Sequence, residues 1–291
     1  MIQSVAVIGV GAMGAPMARR VHAAGFDVTV CDRNEQALAA FAAEGVKVAR
    51  DAADCAGADL VLVLVSTPQQ AWDVVAGEHG LLSRHDGQGS IVAVMATINP
   101  GPMRRLEEAV AGTGLRIIDT PISGGVIRAA SGELSVIMGG DDAVLDEVTP
   151  VYEAFSRIRL RVGDVGSAQT AKVVNNMLGV ASFLVAGEAY RIALEHGLKL
   201  SDVMRVMEVS SGRNWLSADL AESQSTFAAY SASAEASGAV RAILRKDIDL
   251  ALELGGDIDG QFPVAQGLRS VLEALGPETY RSWAMVGKPE E

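Results

Sequence analysis

Two polar residues interrupt a long apolar stretch in the second half of the sequence. Lys172 and Asn176 lie four residues apart among valine, methionine and leucine neighbours. On an α-helix this spacing places both side chains on one face, about 6 Å apart, so both can reach one small molecule. A lysine desolvated among such neighbours has its pKa lowered toward neutrality and can exchange a proton with a hydroxyl or carbonyl group. A surface lysine whose stem packs on apolar neighbours explains the pattern equally well.

A glycine-rich segment follows the first apolar run of the chain, residues 5–8. Gly9 permits a tight turn, Gly11 lets the backbone approach a pyrophosphate, and Gly14 lets the next helix pack closely. Asp32 ends the next apolar run, at the spacing of about 20 residues expected for the acid that binds the adenosine ribose. The segment predicts a nicotinamide-dinucleotide site; the alternative is a glycine turn with an aspartate that starts a surface loop.

The residues around this motif bear on which dinucleotide binds. Ala12 and Met13 complete the turn between the second and third glycines. The carboxylate of Asp32 repels a 2′-phosphate and favours NAD, whereas Arg33 could lie over the adenine or pair with that phosphate. We therefore expect NAD, with NADP as the alternative.

Short apolar runs alternate with amphipathic stretches through the first half of the chain. Runs that are apolar at every position, as in residues 60–65, suit a parallel sheet covered on both faces. The predicted strands are 5–8, 28–31, 60–65, 91–95 and 115–118, with 134–138 and 158–162 extending the same sheet. This pattern predicts an α/β fold with a Rossmann-type, doubly wound, mostly parallel sheet.

The alternation stops after Gly163, and the rest of the chain is predicted to be all α. A stretch without proline, residues 167–195, predicts one long helix that ends at a glycine C-cap, Gly197. Further helices are predicted at 201–209 and 240–254, and residues 223–238 form either a mobile loop or a helix junction. A chain of 291 residues exceeds the usual size of one domain, so we expect a Rossmann domain at 1–163 and an all-α domain at 164–291.

Composition argues against several classes of partner. The 24 Lys and Arg against 36 Asp and Glu give a net charge of −12 without a long basic cluster, so nucleic acid is not an expected partner. Cys31 and Cys55 lack the spacing of a zinc site or a disulfide framework, which favours a reducing cytosol. The N-terminal segment resembles a first strand more than a signal peptide, and no run approaches the roughly 18 apolar residues of a membrane span. We expect a soluble, cytoplasmic protein.

Four motifs, in order and at matching spacing, resemble the β-hydroxyacid dehydrogenase family. They are GVGAMGAPMA at 9–18, DTPISGG at 119–125, GDVG at 163–166 leading to KVVNN at 172–176, and KDIDLA at 246–251. This family includes 3-hydroxyisobutyrate dehydrogenase, tartronate semialdehyde reductase, L-threonate dehydrogenase and, more distantly, 6-phosphogluconate dehydrogenase. The resemblance covers nearly the whole chain and implies an NAD(P)-binding first domain, an active site in the cleft between domains, and a homodimer or homotetramer formed through the helical domain.

The resemblance also assigns roles to the first pair of residues. It makes Lys172 the general acid/base and places Asn176 against the substrate hydroxyl. In oxidation Lys172 would accept the hydroxyl proton while a hydride passes to the nicotinamide, and in reduction it would return that proton. This chemistry requires no metal.

Further motif residues match binding positions of the family. Ser123, Gly124 and Gly125 follow a predicted strand at the carboxyl edge of the sheet, where a hydroxyl and backbone N–H groups can hold a carboxylate. An ordinary Gly-Gly loop is the alternative. Thr97 matches a threonine near the nicotinamide, and Lys246 matches a second lysine near the cofactor or the substrate carboxylate.

Four residues bear on specificity or depart from the family pattern. Arg128 could recognise a second acidic or hydroxylated end of the substrate or merely cap a helix, and Ala239 replaces a common aromatic residue, which would widen the pocket. Trp215 is either a pocket wall or a core residue. Pro68 is placed either in a loop against the cofactor or in a plain turn.

Three functions follow from these residues, one leading and two alternative. The leading hypothesis is an NAD-dependent dehydrogenase of a short β-hydroxy acid such as 3-hydroxyisobutyrate or threonate. The second is an NADPH-dependent reductase of glyoxylate, succinic semialdehyde or tartronate semialdehyde, in which Arg33 takes the 2′-phosphate. The third is a dinucleotide-binding sensor without catalysis, which Lys172 and Asn176 argue against.

Overall fold

Parallel strands form the centre of the first half of the chain. The computed structural model describes residues 1–85, 89–258 and 261–290. The strands are β1 (Ser4–Ile8), β2 (Asp27–Cys31), β3 (Lys47–Ala49), β4 (Leu60–Val63), β5 (Ile91–Val94), β6 (Arg116–Asp119), β7 (Ile122–Ser123), β8 (Leu134–Gly139) and β9 (Ser156–Gly163). The helices between them are α1 (Gly14–Ala23), α2 (Glu35–Ala43), α3 (Pro68–Ala76), α4 (Pro100–Val110), α5 (Gly125–Ser131) and α6 (Asp142–Tyr152).

The strand order confirms the predicted doubly wound sheet. The order is β3-β2-β1-β4-β5-β6-β8-β7, with β9 paired to β8. Strands β1 to β6 are parallel, β8 is antiparallel to β6 and β7, and β9 is parallel to β8. Because parallel strands end at one edge, the segments after β1, β2, β4, β5 and β6 lie along the edge where such sheets bind ligands.

Helices cover both faces of this sheet. Met17 of α1, Phe41 of α2 and Val148 of α6 pack on one face. Val75 of α3 and Leu106 of α4 pack on the other. Every residue of β4 and β5 is buried, which explains why these strands are apolar at consecutive positions instead of alternating.

The second half of the chain is helical. Its helices are α7 (Ser167–Glu195), α8 (Leu200–Glu208), α9 (Leu220–Ser231), α10 (Ala234–Gly256), α11 (Pro263–Ala274) and α12 (Pro277–Val286). Residue contacts divide the chain into two compact units, Met1–Lys172 and Val173–Glu291. In the second unit Phe183 lies at the centre of an aromatic core, with its ring centroid 4.9 Å from Phe227 and 4.9 Å from Trp283.

The long helix α7 begins and ends where the sequence predicts. Gly197 follows it with φ +79°, a left-handed conformation that glycine adopts without strain. Among the described residues, α7 is the helix whose length and mean hydropathy, 1.4, would allow it to cross a membrane, and core helices of globular proteins share that composition.

Other predicted boundaries are less accurate. The segment 223–238 is helical except at residues 232–233, so the interpretation as a helix junction between α9 and α10 is confirmed and the mobile loop is wrong. Strands β3 and β7, with three and two residues, have no counterpart in the sequence prediction.

Candidate active site

The first glycine turn is packed so tightly that two of its glycines are obligatory. Gly9 has φ +96°, and a Cβ there would lie 2.4 Å from the Leu64 carbonyl oxygen. A Cβ on Gly14 would lie 1.9 Å from the Gly9 carbonyl oxygen, so Gly14 makes room for the turn itself as well as for helix packing. Gly11, in contrast, has no heavy atom within 4 Å of the position a Cβ would take.

The N-terminus of α1 presents its backbone dipole without a protein anion. The first turn of α1 contains no acidic residue, and Met13 at the N-cap makes no side-chain capping bond. An open N-terminus beside a glycine with free space fits a bound pyrophosphate. The predicted segment Gly9 to Gly14, with Ala12 and Met13 between, therefore has the shape that a dinucleotide needs.

Asp32 connects this turn to the end of β2. Its Oδ2 accepts a hydrogen bond from the Val10 N–H at 2.8 Å, and its Oδ1 accepts one from the Asn34 N–H at 2.8 Å. These two bonds fix the carboxylate while leaving its remaining lone pairs for ribose hydroxyls. Arg33, the next residue, is exposed.

The loop after β7 requires its two glycines for backbone reasons. Gly124 has φ +134° and Gly125 has φ +72°. A Cβ on Gly124 would lie 3.1 Å from the Cβ of Arg128. Ser123 precedes them, half-buried, so one hydroxyl and the glycine N–H groups occupy one short loop. Arg128 is exposed and lies in the last turn of α5, where its carbonyl oxygen accepts the Glu133 N–H at 2.8 Å.

A buried network, which the sequence analysis did not predict, fixes the first turn of α7. Asp119 is fully buried at the end of β6, and its carboxylate oxygens accept the Gly166 and Gln169 N–H groups, each at 2.8 Å. The Gln169 amide donates to the Ala96 carbonyl oxygen at 2.8 Å and accepts the Ile98 N–H at 3.0 Å. Burial raises the pKa of Asp119 to about 6, although its N–H partners oppose this.

Lys172 follows this network by one helical turn. It lies three residues after Gln169 on α7, and its side chain is only 6% exposed. Because Gln169 is bonded to the segment after β5 and to Asp119, the position of Lys172 relative to the sheet is set within the first unit.

Thr97 and Pro68 also lie at this edge of the first unit. Thr97 is half-buried between the two residues that Gln169 bonds. Pro68 is the first residue of α3, where the Thr67 hydroxyl accepts the Gln70 N–H at 3.1 Å in a reciprocal helix cap. Pro68 lines a cavity of about 590 Å³ together with Thr67, Gln69, Trp72, Pro102, Arg105 and Leu106.

In the second unit Asn176 is held by a buried carboxylate. The Asn176 Nδ2 donates to Oδ2 of Asp247 at 3.1 Å. The other oxygen of Asp247, Oδ1, lies 3.4 Å from Nζ of Lys246, whose side chain is 45% exposed. Asp247 thus fixes the orientation of the Asn176 amide and stands beside Lys246.

Trp215 lies against the same helix as Asn176. Its indole Nε1 donates to the Gly179 carbonyl oxygen at 3.3 Å, three residues beyond Asn176 on α7. The side chain is 45% exposed, so Trp215 is not the core residue that the sequence left open as an alternative. Spacing along α7, i and i+3, gives the indole a place near Asn176.

Sequence reasoning missed Gln169 and the role of Asp119. Gln169 is a polar residue in the first turn of a helix otherwise apolar around it, and Asp119 ends an apolar strand immediately before the loop with Ser123. Each was visible as a polar residue in an apolar run. Their partners, 47 to 73 residues away in sequence, were not.

Comparisons with known proteins match both units. Residues 4–187 match the family described as the NAD binding domain of 6-phosphogluconate dehydrogenase, and residues 166–286 match that described as NAD-binding of NADP-dependent 3-hydroxyisobutyrate dehydrogenase. An NAD-dependent L-serine dehydrogenase of Pseudomonas aeruginosa is 35% identical over 74% of this chain and 72% of its own. A 3-hydroxyisobutyrate dehydrogenase of the same organism is 37% identical over 72% and 71%.

Solved structures share the fold. The 3-hydroxyisobutyrate dehydrogenase of Mycobacterium tuberculosis with L-serine has a TM-score of 0.79 at 24% identity and covers 98% of both chains. The 3-hydroxyisobutyrate dehydrogenase of Salmonella typhimurium has a TM-score of 0.76 at 26% identity and covers 93% of both chains.

The sheet order, the glycine turn and these matches define an NAD(P)-dependent oxidoreductase. The chain belongs to the β-hydroxyacid dehydrogenase family. The resemblance found in the four sequence motifs is therefore confirmed, as are the α/β fold, the NAD(P) cofactor and the oxidoreductase class.

Proposed function

We propose that this protein oxidises a short β-hydroxy acid, of the 3-hydroxyisobutyrate or threonate kind, with Lys172 as general acid/base. The observation that carries the proposal is the buried network of Asp119 and Gln169, which places a lysine of 6% exposure one turn beyond the ends of β5 and β6. Desolvation disfavours the ammonium form, which suits an amine that must accept a proton.

The chain's own residues then divide the work. The Lys172 amine accepts the proton of the substrate hydroxyl, and in the reverse direction the ammonium returns it. Asn176, oriented by Asp247, donates its second Nδ2 hydrogen to the substrate oxygen. Ser123 and the N–H groups of Gly124 and Gly125 bind the carboxylate. When bound, the nicotinamide accepts the hydride from the substrate carbon.

Two residues are proposed to select the substrate. Trp215, with its indole held by a helix carbonyl and nearly half its side chain exposed, supplies an aromatic wall. Arg128 supplies a cation in the helix that follows the carboxylate loop. The named relatives act on L-serine, 3-hydroxyisobutyrate and L-threonate, so a screen of small β-hydroxy acids by NADH absorbance identifies the substrate.

We infer that NAD is preferred over NADP. Support comes from the fixed carboxylate of Asp32, which would face a 2′-phosphate. The proposed cofactor contacts are Gly9, Gly11, Ala12, Met13, Gly14, Asp32, Arg33, Pro68, Thr97 and Lys246. Calorimetric titration with NAD and NADP decides the matter. Tighter NADP binding would overturn the inference and favour the NADPH-dependent reductase of glyoxylate, succinic semialdehyde or tartronate semialdehyde, because exposed Arg33 is then the phosphate ligand.

We further infer that residues 1–163 bind the dinucleotide while 164–291 bind substrate and assemble a cytoplasmic homodimer or homotetramer. Support for assembly is a stripe on α7: Val174, Leu178, Val185 and Ile192 are each at least half exposed and recur at helical spacing. Light scattering on the purified protein measures its mass. A monomer at micromolar concentration would contradict the inference, and Val185→Asp is expected to dissociate the oligomer.

The test of the catalytic proposal is Lys172→Ala. We expect kcat to fall by about 10²- to 10⁴-fold, the range typical of a general acid/base, while NADH affinity stays near wild type. Lys199→Ala, at an exposed lysine beyond the end of α7, is the matched control and should leave kcat unchanged. Turnover near wild type in Lys172→Ala would show that another group moves the proton. Substrate turnover by wild type itself excludes the non-catalytic sensor.

A further inference from the structure

The two cysteines of the chain meet behind the dinucleotide turn. Cys31 is the last residue of β2, and Cys55 is the last residue of a short 3-10 turn, Ala52–Cys55. Their exposures are 4% and 2%, and both pack in the core beneath α3 and α4. The Cys55 thiol donates a hydrogen bond to the Cys31 sulfur, which brings the two sulfurs into contact although the residues are 24 apart in sequence.

The surroundings give the two sulfurs different roles. The hydrogen bond from Cys55 lowers the pKa of Cys31, although burial and the carboxylates of Asp32, Asp51 and Asp54 oppose this. Donating that bond and burial both raise the pKa of Cys55. Since the thiolate is the nucleophile, Cys31 is the sulfur that attacks an oxidant and Cys55 is the resolving thiol.

Cys31 is also part of the backbone that shapes the glycine turn. Its carbonyl oxygen accepts the Gly9 N–H at 2.8 Å. The next residue, Asp32, accepts the Val10 N–H. A covalent bond from Cys31 to the 3-10 turn would therefore move two anchors of the glycine turn together, because both are adjacent to Cys31 in the chain.

We propose that Cys31 and Cys55 form a reversible disulfide when the protein meets a peroxide, and that this disulfide weakens dinucleotide binding. The Cys31 thiolate attacks one peroxide oxygen, which gives a sulfenic acid and, with a proton, one water. The Cys55 sulfur then attacks the Cys31 sulfur and loses its proton, and the sulfenic hydroxyl leaves as the second water. Two thiols lose two electrons and two protons, and one peroxide becomes two waters.

Burial of both sulfurs decides which oxidants react. Bulky thiol reagents cannot reach side chains of 4% and 2% exposure, whereas hydrogen peroxide is close to water in size and enters through local opening of the segment with Cys55. A dithiol such as dithiothreitol returns the pair to its reduced form by exchange. The second half of the proposal, lower affinity, rests on the dinucleotide site proposed at Gly9 and Asp32.

The experiment follows the disulfide and NADH binding separately. Reduced protein is treated with millimolar hydrogen peroxide and quenched; intact mass and thiol titration in denaturant report the disulfide, and fluorescence titration reports NADH affinity. We expect a species lighter by two hydrogens with both thiols lost, an NADH Kd at least about five-fold higher, the lower end of ordinary coupling between sites, and recovery with dithiothreitol.

Cysteine variants supply the controls. Cys55→Ser cannot form the bond and should keep its NADH affinity after peroxide, and Cys55→Ala replaces it if a hydroxyl in the core destabilises the fold. The double variant Cys31→Ser, Cys55→Ser reports any effect of methionine oxidation, since the chain has 10 methionines.

Each result decides a separate part of the proposal. Thiols that stay free in peroxide overturn the disulfide. A disulfide with unchanged NADH affinity overturns its effect on binding. Failure of the reduced wild type to bind NADH overturns the proposed dinucleotide site, and with it the effect on binding, while the mass measurement still decides the disulfide.

Discussion

The buried carboxyl of Asp119 makes stability depend on pH in a direction that can be measured. Burial raises the pKa of Asp119 from 3.8 to about 6. The folded protein therefore holds this proton at a pH where the unfolded chain has lost it. Stability from this group is fully present below pH 3.8 and is lost as pH rises through 6.

The size of the effect follows from the shift. A difference of about two pKa units corresponds to about 3 kcal/mol in total, since each unit is worth about 1.4 kcal/mol. Between pH 5 and pH 8 the free energy of unfolding should lose about 1.4 kcal/mol of that total, because at pH 5 the unfolded chain is already ionised and the folded Asp119 is mostly protonated. Full burial of Asp119 means that solvent does not screen this value.

Asp119→Asn isolates this contribution. The variant removes the titrating group, and its amide NH₂ faces an N–H donor, so the variant is less stable than wild type by about 1–3 kcal/mol at pH 5. Urea unfolding followed by circular dichroism at pH 5, 6, 7 and 8 gives the difference between wild type and variant, fitted as two transitions if the two units unfold separately. We expect this difference to shrink by about 1.4 kcal/mol from pH 5 to pH 8.

An exposed aspartate in the same region is the matched control. Asp164 lies at the surface before α7, and the difference between wild type and Asp164→Asn should be nearly constant over the same range. A difference for Asp119→Asn that stays constant, or that grows with pH, would refute the reasoning, since it would mean that the folded state holds the Asp119 carboxylate at least as well as water does.

Substitutions at two glycines and one aspartate test the rest of the site. Gly9→Ala, at φ +96° and against a backbone carbonyl, should cost about 2 kcal/mol or more and abolish NADH binding. Gly11→Ala meets no protein atom, so its melting temperature should stay near wild type while NADH affinity falls at least about ten-fold by calorimetry; unchanged affinity would contradict a close pyrophosphate at Gly11. Asp247→Asn removes the charged partner of Asn176, so KM for the hydroxy acid should rise about ten-fold. A lower melting temperature with unchanged KM would give Asp247 a structural role only.

The strands and the long helix could be predicted because their signals are local. β4 and β5 are apolar at every position and buried at every position, and α7 has a glycine with φ +79° two residues past its end. β3 could not be predicted from such a signal. Two of its three residues, Lys47 and Val48, are exposed, so pairing with β2 and not burial defines that strand.

The glycine turn was predictable for the same reason, and the network below Lys172 was not. Gly9, Gly14 and Asp32 follow strand ends at fixed spacing, and each spacing reflects a contact within one βαβ unit. Asp119 and Gln169 are recognised only when the ends of β5 and β6 are known to lie together, which depends on strand order. Local patterns do not encode that order.

That network changes how the position of the acid/base should be understood. The boundary between the compact units falls directly after Lys172, and Asn176 belongs to the second unit although both residues lie on α7. Asp119 and Gln169 bond the first turn of the helix to segments that continue from β5 and β6. Lys172 is therefore held by the same unit that carries the glycine turn, whereas Asn176 is oriented by Asp247 of α10. A substitution that loosens Asp119 should change proton transfer, and one that loosens Asp247 should change substrate binding, because the two side chains are positioned by different units.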